Sequence, residues 1–294
     1  MKQIVECVPN FSEGRRQEVI DRIVAAMAQV PGARVLDVQS DVDHNRSVVT
    51  LVGAPEAALE AAFQGIASAA QLIDMNHQRG AHPRMGATDV VPFVPVQGTT
   101  MDDCAALARR LGERAGAELG IPVYLYEEAA TRPERRNLAD VRRGEYEGLK
   151  AEIATDPGRA PDFGPAHLGT AGATAIGARP PLIAFNVYLN TADVAPAKAI
   201  ARAVRHSSGG LRFVKALGLL VEGQAQISMN LTDYRQTPIY RVVEMIRVEA
   251  ARLGLTITRC EVVGLLPAQA LFDSAQFYLR LHDLSADQIL ENRL

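Results

Sequence analysis

The chain has 294 residues, 48% of them hydrophobic, enough for one large core or two smaller ones. Its 31 basic and 34 acidic side chains give a net charge of −3 with no long block of either sign, which argues against wholesale binding to nucleic acid or an anionic membrane. Three distant cysteines, Cys7, Cys104 and Cys260, form no CxxC pair for zinc, the N-terminal apolar run is too short for a secretory signal, and no run reaches the roughly 18 to 20 apolar residues of a membrane helix. Reduced thiols and a cytoplasmic location are therefore expected.

QIVECVPN reads as a strand broken by Pro9, and the following SEGRRQEVIDRIVAAMAQV as a helix with Ser12 as N-cap and Val19, Ile20, Ile23, Val24 and Met27 at helical spacing. ARVLDVQSDVDHNRSVVTLVG predicts two strands around an Asp/Asn turn. An alanine-rich helix over APEAALEAAFQGIASAAQLIDM, a strand over DVVPFVPVQG with prolines at its ends, a helix over MDDCAALARRLGERAGAEL and a strand over IPVYLYEEA follow. Residues 131–181 combine a charged helical stretch with a glycine-rich run that reads as a functional loop. Beyond them, PLIAFNVYLN is a strand, TADVAPAKAIARAVRHSSGG a helix, LRFVKALGLLVEGQAQISMNLTD two strands, PIYRVVEMIRVEAARLG a helix, TITRCEVVGLLP a strand and AQALFDSAQFYLRLHDL a helix.

Both ends thus spell β-α-β-β-α-β-α, the split plan of ferredoxin-like folds. The expected class is α/β (α+β), two ferredoxin-like βαββαβ subdomains with facing sheets and helices outside. They divide at Pro180 and Pro181 into residues 1–180 and 181–294, with a ligand site at the seam.

The chemistry concentrates in RGAHPRMGATD. Pro83 keeps His82 out of helical geometry, Gly80 and Gly86 permit tight turns, and Arg79 and Arg84 flank it with positive charge. Such a loop suits an anionic substrate and proton transfer near neutral pH; a surface histidine in a basic turn is the plain alternative. Asn10, in VPNFSEGRR, ends the first strand, and Asn45 and Arg46 occupy the turn DVDHNRSVVT, where turn chemistry by itself also asks for such residues. His77 and His82 lack the HExxH pattern, and the run GPAHLGTAGATAIG does not spell GxGxxG, so neither a metal nor a dinucleotide is expected.

Laid side by side, VECVPNFSEGR, HNRSVVT, LIDMNHQRGAHPRMGATDVVPFVPV, PVYLYEEAA, RRGEYEGL, APDFGP, GATAIGARPPLIAFNVYLN and VVGLLPAQAL resemble the formiminotransferase domain family, from residue 4 to about 275. The resemblance implies transfer of a formimidoyl group between tetrahydrofolate N5 and the amino nitrogen of L-glutamate in histidine breakdown. It implies tetrahydrofolate as co-substrate, a folate channel between two subdomains and a homodimer. In animal members this domain is fused to a cyclodeaminase domain, which the chain ending at Leu294 is expected to lack.

By the same resemblance the catalytic histidine falls on His82, and the folate-contacting loop on Gly164, Pro165, Ala166, His167 and Leu168, continuing through Gly169, Thr170, Ala171 and Gly172. That loop is one residue shorter than in animal members and has no tryptophan before Gly172. The acidic position that animal members carry after the DV of the second strand is Gln39 here, and no role is assigned to it. A histidine that takes a proton from one nitrogen and gives one to another fits this transfer, with Arg79 and Arg84 lowering its pKa. The carboxylates of glutamate and folate call for arginines, with Arg46, Arg79 and Arg84 the candidates, while Asp89, Asp162 and Phe163 are expected to meet the pterin. Two rivals remain at this point: a glutamate formyltransferase using 5-formyltetrahydrofolate, and a non-catalytic folate-binding module.

Overall fold

The computed structural model describes residues 3–80 and 82–293. The chain divides into two compact units, Met1–Pro180 and Pro181–Leu294.

In the first unit, β1 (Ile4–Cys7) and β2 (Asn10–Phe11) flank Val8 and Pro9, so the proline does interrupt the strand. Then come α1 (Gln17–Ala28), β3 (Ala33–Asp41), β4 (Arg46–Gly53), α2 (Pro55–Leu72), β5 (Thr88–Gln97), α3 (Met101–Leu119) and β6 (Val123–Glu127). Two short helices, α4 (Leu138–Val141) and α5 (Glu145–Glu152), precede β7 (Thr174–Ala178). Antiparallel pairing runs from β3 to β4, from β4 to β1 and β2, and from these to β5; β7 and β6 extend the sheet in parallel.

Strand alternation sends Val5, Cys7, Val49, Leu51, Val91 and Phe93 into one core with the buried faces of α1, α2 and α3. The opposite face carries a second cluster in which Val90, Tyr124, Tyr126 and Ala175 pack with Val141 of α4 and Leu149 of α5. The start of α3 follows from local chemistry. Thr100 Oγ1 accepts from Asp103 N–H while the Asp103 carboxylate accepts from Thr100 N–H, and Gly120 closes the helix in the left-handed region.

Three sequence expectations change here. Ser12 does not cap α1, which begins five residues later without a side-chain cap: the Ser12 hydroxyl donates to Gly86 O at 2.7 Å. Glu13 instead accepts from Arg15 and Arg16 N–H. The glycine-rich run contains β7, too short and too rich in small residues to announce itself as a strand. Finally, Pro92 and Pro95 lie inside β5. Pro92 sits opposite the break between β1 and β2, its carbonyl accepting from Val8 N–H, and Pro95 sits at the register shift beside Ile4 and Val5, so each missing N–H falls where the ladder is already irregular.

The second unit is a plain split βαβ arrangement. It comprises β8 (Ile183–Leu189), α6 (Val194–Val204), β9 (Val214–Val221), β10 (Gln224–Leu231), α7 (Ile239–Arg252), β11 (Ile257–Val263) and α8 (Ala268–Leu279). The strand order is β11-β8-β10-β9, antiparallel throughout. Glu222 and Gly223, both at positive φ, make the two-residue turn between β9 and β10. Val187 and Ile227 pack with Ile200 and Val204 of α6 and Val242 and Ile246 of α7. Among the described residues no helix is long and apolar enough to cross a membrane.

Candidate active site

The loop between α2 and β5 is fastened on both sides of His82. Before it, Gln78 Nε2 donates to Asn45 O, and Asn45 Nδ2 donates to Arg79 O. Asn45 Oδ1 accepts from Gly14 N–H at 2.9 Å, so this one amide ties three segments together, at a positive φ that asparagine tolerates. After it, Met85 N–H donates to Asp89 Oδ1, and Gly86 bridges to Gly172. A Cβ at Gly86 would run into the Ala173 carbonyl, and only glycine permits that approach.

His82 itself is half-buried, and its ring makes no hydrogen bond among the described residues. Its pKa is lowered to about 2, first by burial and then by the charges of Arg46, Arg142, His44 and Arg84. The ring is therefore neutral at physiological pH, able to accept a proton from a ligand. His44 Nδ1 lies 2.9 Å from an Asp41 oxygen, close enough for attraction though not aligned for a hydrogen bond.

Arg46, at the start of β4, has a buried Nε without an acceptor, and its pKa is lowered by burial and by Arg142, against the pull of Asp89 and Asp41. Arg142, just past α4, pairs with Asp89, yet its own Nε is also buried without an acceptor. Burial pushes the Asp89 carboxyl up, opposed by Arg142, the Met85 N–H and Arg46. Two guanidinium donors thus lack acceptors beside a neutral histidine. Buried donors are rarely left so, and an anionic ligand would complete them.

Other sequence candidates are already committed elsewhere. Arg84 gives Nε to Gln78 Oε1, Nη1 to Glu145 and Glu147, and Nη2 to Glu147 and Gln78 O, which uses all five of its donors. It is an anchor of the loop, and no N–H is left for a substrate carboxylate. Arg79 Nη1 donates to Gln78 O. Asp89 is enclosed with Arg142. Both oxygens of Asp162 are occupied, by Thr131 on one side and by Leu125 N–H and Arg135 on the other. Phe163 packs into the helix-side core against Gly112, with its backbone paired to Val123. The carboxylates of Asp89 and Asp162 thus have partners inside the protein, and the Phe163 ring packs toward α3. Asn10 Nδ2 donates to Val8 O.

The loop from Gly164 to Gly172 is pinned at its ends and open between them. Gly164 and Gly172 have φ of 81° and 71°, Thr170 O accepts from Met75 N–H, and Ala171 O accepts from Ala87 N–H. Between them Ala166, His167, Gly169 and Thr170 are exposed, while Pro165 and Leu168 are half-buried. Gly169 to Gly172 also line a crevice of about 370 Å³ with the C-terminal ends of α2 and α3. No group of three or more His, Cys, Asp or Glu able to hold a metal occurs among the described residues.

The formiminotransferase domain, N-terminal subdomain, matches residues 4–179, and the formiminotransferase domain matches residues 184–293. The chain belongs to the formiminotransferase domain family. A glutamate formimidoyltransferase of Thermoplasma acidophilum is 52% identical, over 99% of this chain and 97% of its own. One from Streptococcus pyogenes serotype M1 is 48% identical over 100% and 99%. The formimidoyltransferase-cyclodeaminase of Rattus norvegicus is 45% identical over 95% of this chain, which spans about half, 53%, of that longer protein.

Within this formiminotransferase fold, the residue that sequence reasoning missed is Arg142. Its signal was in view, since RRGEYEGL is one of the stretches carrying the resemblance. Sixty residues separate it from His82, and only the packing of α4 and α5 over the helix-free face of β6 and β7 brings the two together.

Proposed function

We propose that the protein is a glutamate formimidoyltransferase, moving the formimidoyl group between N-formimidoyl-L-glutamate and tetrahydrofolate N5 in histidine breakdown, with His82 as general acid and base. The observation that carries this reading is the neutral His82 ring beside Arg46 and Arg142, whose buried Nε donors have no acceptors. That donor set fits the two anionic substrates, and the reading requires no metal.

Tetrahydrofolate supplies the nitrogen that accepts the group. His82 receives the proton this nitrogen sheds and returns one to the glutamate nitrogen as it leaves. A ring held at a pKa of about 2 is unprotonated but a weak base and a poor carrier. Carboxylates docking against Arg46 and Arg142 offset the charges that depress it and bring the pKa back toward neutrality, where one group can serve both steps. Arg79, whose guanidinium keeps donors beyond its one bond to Gln78 O, is a further carboxylate ligand. The loop from Gly164 to Gly172, open between its pinned ends, contacts the folate. A cytoplasmic location accords with three free cysteines, and a homodimer is carried over from the family resemblance.

The test is tetrahydrofolate-dependent release of glutamate from N-formimidoyl-L-glutamate, run with wild type and His82→Ala side by side. The variant should lose ~10²- to 10⁴-fold in rate while still binding folate. Equal rates would remove His82 from the mechanism, and a wild type that binds folate without releasing glutamate would remove the activity.

A further inference from the structure

The turn from β3 to β4 is wedged between two glycines. A Cβ on Gly14 would lie 2.2 Å from Asp41 O, and one on Gly80 would lie 2.2 Å from His44 O. The backbone of His44 therefore packs directly against the loop, two residues before His82. Asn45 Nδ2 donating to Arg79 O at 2.8 Å and Gln78 Nε2 donating to Asn45 O at 3.1 Å hold turn and loop together.

Within this turn Asp41 and His44 form a pair. Asp41 Oδ1 accepts from His44 N–H at 2.7 Å, and Oδ2 lies 2.9 Å from His44 Nδ1. That nitrogen is buried, although the side chain as a whole is 43% exposed. A ring nitrogen shut off from water beside a carboxylate bears the proton, because a lone pair there would meet those of the oxygen. Nε2 then keeps the lone pair through which a proton comes and goes, and a carboxylate so placed orients the ring and offsets the charge it gains. Asp74 and His77 make a pair of the same spacing at 3.1 Å, but the His77 side chain is 86% exposed, the setting of an ordinary surface pair.

If the reaction is the one proposed above, on which this inference rests, two nitrogens change protonation. N5 loses a proton as it bonds to the formimidoyl carbon, and the glutamate nitrogen gains one as its bond to that carbon breaks. Two imidazoles on adjoining segments divide this work. We propose that His44, oriented by Asp41, is the second proton-transfer residue of the site. Its Nε2 delivers the proton to the departing glutamate nitrogen, which keeps the electron pair of the broken bond, while His82 takes the proton from N5. Exchange with water, which reaches the half-exposed His44 ring, restores both rings for the next turnover.

The experiment is His44→Gln, assayed by tetrahydrofolate-dependent release of glutamate from N-formimidoyl-L-glutamate. kcat should fall about 10²- to 10⁴-fold, the cost of a positioned acid, with both KM values within about threefold. Free imidazole should recover about tenfold or more in His44→Gly, a rescue that a merely structural role does not give. Asp41→Asn keeps the acceptor for His44 N–H and removes the charge beside Nδ1, so kcat should fall by a smaller factor. His77→Gln should stay within about twofold of wild type. An unchanged kcat in His44→Gln, a loss confined to KM, or a His44→Gly that imidazole does not rescue overturns the proposal. Histidine ¹⁵N NMR separates this inference from the activity itself. In a wild type that releases no glutamate, a shift of the His44 Nε2 resonance on adding L-glutamate retains His44 at the amino-acid site, and no shift removes it.

Discussion

Replacing Arg46 by Met should stabilise the protein while weakening substrate binding. The guanidinium is pushed toward its neutral form by burial and by Arg142, and its Nε meets no acceptor. An unpaired buried cation costs several kcal/mol, and the attraction of Asp89 and Asp41, each weaker than burial or the repulsion of Arg142, returns only part of it. A Met of similar length keeps the packing of the stem and discards the remainder, for a net gain of about 1 to 2 kcal/mol, the usual size of stability given up at functional sites. Thermal unfolding without ligand would show a rise in Tm of roughly 2 to 8 °C. Steady-state kinetics on the same protein should show the loss of a charge-assisted bond, about 2 to 3 kcal/mol or roughly 30- to 150-fold in KM for N-formimidoyl-L-glutamate. A variant destabilised by more than about 1 kcal/mol, or one with an unchanged KM, would refute the reasoning, because it would mean that Arg46 is completed inside the protein.

Arg84→Met should behave in the opposite way. Its side chain is 8% exposed against 42% and 56% for Glu145 and Glu147, so the carboxylates re-enter water while Gln78 Oε1 is left buried and unpaired, a destabilisation of about 2 to 4 kcal/mol measurable by urea unfolding. His82→Gln should flatten the acid limb of stability. The folded ring refuses a proton until about pH 2 while the unfolded one takes it near 6.5, so wild type loses stability as pH falls below 6.5, by at most about 1.4 kcal/mol per pH unit, and the variant lacks this component. Gly86→Ala should cost about 3 kcal/mol in the same unfolding assay, since its methyl meets the Ala173 carbonyl and lies 2.9 Å from Ala171 O.

Much of the fold was legible because each unit repeats one pattern with strong local signals. The spacing of Val19, Ile20, Ile23 and Met27 placed α1, and the Asp/Asn turn between two β-rich runs placed β3 and β4. What escaped had no local signature. Strand β7 is Thr-Ala-Ile-Gly-Ala, whose strand character comes from parallel pairing to β5 and β6 on either side. Ser12 looked like a helix cap, but its hydroxyl is taken by Gly86, seventy-four residues away.

By itself the sequence determined that the chain folds as α+β, that it carries the formiminotransferase motifs and that His82 lies in a glycine-bounded basic loop, since periodicity and motif are properties of neighbours along the chain. The identity of the charges around that histidine was decided only by tertiary structure. Arg84, two residues away in sequence, is spent on Glu145 and Glu147, while Arg46 and Arg142, thirty-six and sixty residues away, bring the free donors. Sequence can count arginines, but whether a guanidinium has an acceptor depends on which segments pack against it, and that is fixed when the sheet and its covering helices close.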